Sequence, residues 1–120
     1  MMNRTLVLSA LLLASPSSAK DGPQNALMDR VERLAQMPKG SFQIDKYARY
    51  YAFGAHRRVI GVYITDVDPK NRSYDLAVGK HRWVDVARNL PVIMDGGCSV
   101  VTVQFDLQTN RSKAWCNGVA

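Results

Sequence analysis

The stretch DGGCSVVTVQFDLQTNRSKAWCNG, Asp95 to Gly118, carries both cysteines of the chain and decides how its C-terminal part folds. SVVTVQF (99–105) and KAWCN (113–117) are short and rich in β-branched or aromatic residues, and the polar run DLQTNRS (106–112) separates them. This is the pattern of a hairpin. If Phe105 lies opposite Ser112, Cys98 falls opposite Val119, three positions past Cys116. Three strand positions are about 10 Å, more than a disulfide spans. The cysteines can therefore join only if the chain bends at Gly96 to Cys98 or the pairing is irregular, and Gly96-Gly97 supplies the freedom to bend. A redox pair would show CxxC and a metal clip would need two more ligands at a recognisable spacing; neither is present. We read Cys98–Cys116 as a structural disulfide, worth about 3 kcal/mol for a loop of this length.

That reading fits the other end of the chain. MMNRTLVLSALLLASPSSAKDGPQNA opens with a basic residue, Arg4, an apolar run from Leu6 to Ala14, and the small residues Ser17-Ser18-Ala19. This is the layout of a secretory signal peptide over residues 1–19, too short to span a membrane. Residues 20–120 then form a single α+β domain, exported to the periplasm or secreted, where thiols oxidise. An N-terminal core or interfacial helix is the other way to read the apolar run.

The chain has 120 residues and a formal net charge of +6. Loss of the leader removes Arg4 alone, leaving 15 basic against 10 acidic residues, +5. Such a balance suits an anionic partner. Its cations are scattered, with Arg57-Arg58 and Lys80-His81-Arg82 the densest groups.

GPQNALMDRVERLAQMPKG (22–40) places Leu27, Met28, Val31, Leu34 and Ala35 on one helical face, with Arg30, Glu32, Arg33 and Gln36 opposite. Gly22-Pro23 suits the start and Pro38-Lys39-Gly40 the stop. KYARYYAF (46–53), RVIGVYIT (58–65) and HRWVDVA (81–87) join the two strands of the hairpin as strand candidates. The expected architecture is one N-terminal amphipathic helix packed on a curled antiparallel sheet of about five strands, with one disulfide. Asp66 to Gly79 reads as a solvated loop that fails the EF-hand pattern. Val92, Ile93 and Met94 read as a plug at the sheet end, or alternatively as an exposed apolar tip.

The most suggestive surface is KYARYYAFGAHRR (46–58), where Tyr47, Arg49, Tyr51 and Phe53 share one strand face. An even turn, with Phe53 opposite Arg58, sets the tyrosines beside Ile60 and Ile64 as core; an odd turn sets them beside Gly61 and Tyr63. We expect the even turn. The candidate binding residues are Tyr47, Arg49, Tyr51, Arg57, Arg58 and Arg82. His56 and His81 are the residues from which an acid–base pair for phosphodiester cleavage could be assembled, and no nucleophile elbow or paired-carboxylate motif accompanies them. The two tryptophans, Trp83 and Trp115, read as anchors of the core or sheet face. No residue pattern calls for a cofactor, a metal or a nucleic-acid partner. The sequence-level expectation is a non-enzymatic exported module that binds a protein or an anionic envelope component. The alternatives are a small secreted hydrolase using His56 and His81, or a structural envelope protein.

Overall fold

The structure, a computed structural model, describes residues 15–65 and 74–118, with side chains from residue 22 onward. Most of the expected leader, and residues 66–73 of the polar loop, lie outside the described residues. The elements are α1 (Ser15–Leu34), a 3₁₀ turn (Ile44–Lys46), β1 (Ala48–Phe53), β2 (Arg58–Ile64), β3 (His81–Trp83), a second 3₁₀ turn (Ala87–Asn89), β4 (Gly97–Asp106) and β5 (Ser112–Asn117). Among the described residues, no helix is long and apolar enough to cross a membrane.

α1 is interrupted at Gly22, whose φ of 74° and ψ of 163° are not helical. The regular part therefore begins at Pro23, where a fixed φ and a missing N–H cost nothing. It packs on a five-stranded open sheet of order β3-β1-β2-β4-β5, so the fold is the expected α+β two-layer arrangement.

The sheet is mixed rather than antiparallel throughout, because β3 runs parallel to β1, pairing Arg49 with His81 and Tyr51 with Trp83. The reason is where the chain re-enters. β2 ends beside the start of β1 (Ala48 opposite Ile64), and His81 enters at that same end. A strand that begins beside another strand's beginning runs the same way. The expected strand 81–87 ends at Trp83, and a 3₁₀ turn follows at Ala87–Asn89.

The turn between β1 and β2 is odd, not even: Phe53 lies opposite Val59, and Tyr51 opposite Gly61. His56 and Arg57 both adopt left-handed backbone (φ 56° and 58°) and reverse the chain within Ala55 to Arg57, so Gly54 donates its N–H to Arg58 O at 2.8 Å. The tyrosines become core all the same. Five of the six β1 residues are buried, because both faces of the strand are covered. Tyr47, Tyr51, Val59, Tyr63, Val101, Val103 and Phe105 lie under Met28 and Val31 of the helix. Ala48, Tyr50, Ala52, Val62, Ile64 and Val100, on the reverse face, are packed against Leu76, Leu90 and Ile93 from the loops. Gly61 is needed here: a Cβ would stand 3.0 Å from a ring carbon of both Tyr51 and Tyr63.

Of the proposed plug, Ile93 alone packs against the reverse-face cluster; Val92 and Met94 are largely exposed. The tip reading holds for those two. The Cys98–Cys116 disulfide is formed, with the Cα atoms 4.5 Å apart. It demands the irregularity foreseen from the spacing. Phe105 does lie opposite Ser112, but the register jumps between Val101–Cys116 and Gly97–Asn117, so that residues 98–100 have no partner on β5, although Val100 stays paired with Ile64 of β2. Gly97, at φ 58°, turns the chain into the bulge, and Tyr47 fixes it by donating its hydroxyl to Cys98 O at 2.7 Å.

Candidate functional site

The helix side of the sheet contains the densest polar chemistry. Its centre is Glu32, the only glutamate of the chain. Glu32 Oε2 accepts hydrogen bonds from Arg49 Nε (3.0 Å), Tyr51 OH (2.7 Å) and His81 Nδ1 (2.9 Å). A carboxylate only accepts, so Nδ1 carries the His81 proton. Tyr51 also shares a 2.8 Å hydrogen bond with Tyr63. Arg49 Nη1 donates to Ile44 O and Tyr47 O, so its cation is matched by one carboxylate and two carbonyls.

Burial pushes the Glu32 carboxyl up, but the bonds from His81, Tyr51 and Arg49 outweigh it and hold the group below its ordinary value. Burial pushes the Tyr51 and Tyr63 phenols strongly up, and at Tyr51 the nearby Tyr63 and Glu32 add to it. Asp29, Glu32 and His81 bring donor atoms within 4.8 Å of one another, which is the spacing of a cation site. The Arg49 guanidinium already supplies the positive charge at this carboxylate, and Oε2 has three donors in place. The cluster is accounted for as a satisfied ion-pair network.

The reverse face differs. Its upper part is covered by the loops, while its lower part, across β2, β4 and β5, forms an open groove of about 530 Å³ lined by Arg58, Gln104, Asp106, Thr109, Arg111, Ser112 and Lys113. The sheet register explains the assembly. Arg58 lies opposite Asp106, and Gln104 lies opposite both Ile60 and Lys113, so their side chains project from one face in two adjacent rows. The exposed Trp115, opposite Thr102, stands in the next row. Arg111 is placed by the β4–β5 turn, which the helix clamps from behind: Arg30 donates to Leu107 O at 2.7 Å and to Asn110 Oδ1. Asn110, at φ 60°, takes the left-handed position of that turn. Asp106 is occupied locally, its Oδ1 accepting from Gln108 N and Thr109 N. Among the described residues, no ion pair involves Arg58, Arg111 or Lys113.

The residues singled out from sequence separate into three places. Tyr47 and Tyr51 are fully buried beneath the helix and Arg49 almost so; they form no open face, because the helix and not solvent covers their side of β1. Arg58 lines the groove and Arg57 is exposed in the adjoining turn. Arg82 is on the opposite edge strand, paired with Asp75 at 2.9 Å on the surface. His81 and His56 do not meet: His81 stands beside Arg49, while His56 lies in the turn beyond Phe53. Four strand residues separate those levels, about 13 Å.

Glu32, expected on the polar face of the helix, instead meets the sheet and is largely buried, and Arg111 and Lys113 are not among the residues the sequence singles out. The line 28, 31, 32, 35 is as good a helical stripe as the one chosen, and Met28, Val31 and Ala35 are the residues that pack on the sheet, with Glu32 between them and Leu34 exposed. Lys113 was already placed opposite Gln104 by the hairpin; what could not be read was the pairing of β2 with β4 that brings Arg58 alongside.

An α+β two-layer domain with a basic groove on its open sheet face is thus the class that fold and site define. No family model, no curated protein and no solved structure matches the chain.

Proposed function

We propose that this chain is an exported, non-enzymatic binding module that takes an anionic group of its partner, a protein or an envelope component, into the groove on the reverse face of its sheet. The observation that carries this is the convergence of Arg58, Arg111 and Lys113 on one open groove with no ion pair to any of them among the described residues. Three exposed cations against the single carboxylate of Asp106 leave the groove net positive, and that field favours an anion. Export is supported by the leader-like N-terminus and by a disulfide suited to an oxidising compartment.

The test is fluorescence anisotropy with labelled linear polyphosphate and labelled oligoglutamate at low and at physiological ionic strength. The wild-type domain should bind at least one probe, more weakly as salt rises. The Arg58→Ala, Arg111→Ala, Lys113→Ala triple variant should lose that binding. Unchanged binding by the triple variant would refute the groove.

A further inference from the structure

Among the described residues, β5 is an edge strand of the sheet. The Asp106 N–H donates to Arg111 O at 2.8 Å and Asp106 O accepts from Asn110 N–H at 2.8 Å, which puts Asp106 at a hydrogen-bonded position of the ladder. Pairs alternate along an antiparallel ladder, so Gln104–Lys113 and Thr102–Trp115 exchange bonds as well. Ser112, Ala114 and Cys116 therefore turn their N–H and C=O groups away from β4. Among the described residues, no backbone group bonds to them from outside.

Two cavities flank this edge at the same level, one on each side of the sheet. The basic groove lies on the reverse side. On the helix side, a cavity of about 240 Å³ is lined by Leu34, Gln36, Asn110, Arg111 and Ser112. Arg111 and Ser112 belong to both.

We propose that the partner is an acidic, extended peptide segment that adds to β5 as a sixth, antiparallel strand. Side chains of an added strand alternate between the two faces, and directly opposed residues share a face. Peptide residues opposite Arg111 and Lys113 meet the basic groove, and carboxylates there answer the unpaired cations. Residues opposite Ser112 and Ala114 fall on the helix side, where Leu34, 38 % exposed, offers an apolar contact. The segment thus alternates acidic and aliphatic residues. A second copy of this chain fits poorly, because its own β5 edge, residues 111–117, carries no carboxylate to answer Arg111 and Lys113.

This inference rests on the groove reading above, and the experiment separates the two. The probe is an acetylated, amidated octapeptide alternating Glu and Val, in three forms: unmodified, N-methylated at every Val, and N-methylated at every Glu. In the proposed register the Val N–H groups point at β5 and the Glu N–H groups point away. The unmodified and Glu-methylated peptides should bind alike, and the Val-methylated peptide at least about tenfold more weakly, for the loss of two or more hydrogen bonds. The protein is untouched, so misfolding cannot imitate the result. Equal binding of the two methylated forms, or binding of polyphosphate without any binding of the octapeptide, would overturn strand addition and leave the groove standing. Failure of wild-type protein to bind either polyphosphate or the octapeptide would overturn both.

Discussion

The two faces of this one sheet carry comparable numbers of polar groups and treat them in opposite ways. Under the helix, Arg49, Tyr51, Tyr63 and His81 converge on a single carboxylate; of the described residues, no buried side-chain polar atom is left without a partner. On the lower reverse face Arg58, Arg111 and Lys113 are exposed and without ion pairs among the described residues. The difference is what desolvation dictates. A cation taken out of water must be matched, whereas one left in water can wait for a ligand. The side with the more elaborate chemistry is therefore the structural one, and the plainer side is the candidate for recognition.

Mutations should break this contrast cleanly. Glu32→Ala leaves Arg49 buried without its counter-ion and should cost about 3 to 5 kcal/mol in urea unfolding, among the largest single effects in the domain. Recovery of part of that loss in the Glu32→Ala, Arg49→Met double variant would show that the unpaired charge, and not lost packing, is the cause. Replacing both cysteines with Ser removes the staple across the bulge and should cost about 3 kcal/mol, read in the same experiment.

A smaller effect is set by pH. Glu32 has its folded pKa depressed, so its contribution is present above the ordinary value of 4.5 and is lost as pH falls below it. The urea midpoint of the wild type should fall in that range, and the fall should be shallower in Glu32→Gln. Smallest of all, Arg58→Ala with Lys113→Ala should change stability by no more than about 0.5 kcal/mol, since both side chains stand in water without ion pairs among the described residues. A loss comparable with that of Glu32→Ala would mean that the groove is structural too.

Much of this was legible in the chain. The helix start at Gly22-Pro23, the hairpin register of Phe105 on Ser112, the disulfide and the irregularity it forces all follow from residue spacing. What failed did so for one physical reason. The parity argument for Tyr47 and Tyr51 assumed a strand with one wet face, whereas β1 is buried on both, so turn parity could not decide exposure. The same assumption hid Glu32, since a lone glutamate among apolar neighbours looks like the solvent side of a helix until Arg49 and His81 arrive from distant strands. Arg58 was visible as half of a basic pair, but Arg111 and Lys113, 53 and 55 residues further along the chain, come to it through the pairing of β2 with β4.

The central claim is that recognition belongs to the reverse face. A ¹H–¹⁵N titration of the domain with oligoglutamate tests it most directly. Shifts confined to Arg58, Gln104 and Arg111 to Trp115, with Glu32, Arg49, Tyr51 and His81 unmoved, are the predicted result. Shifts centred on the Glu32 network or on Arg82 and Asp75, with the groove silent, would contradict it.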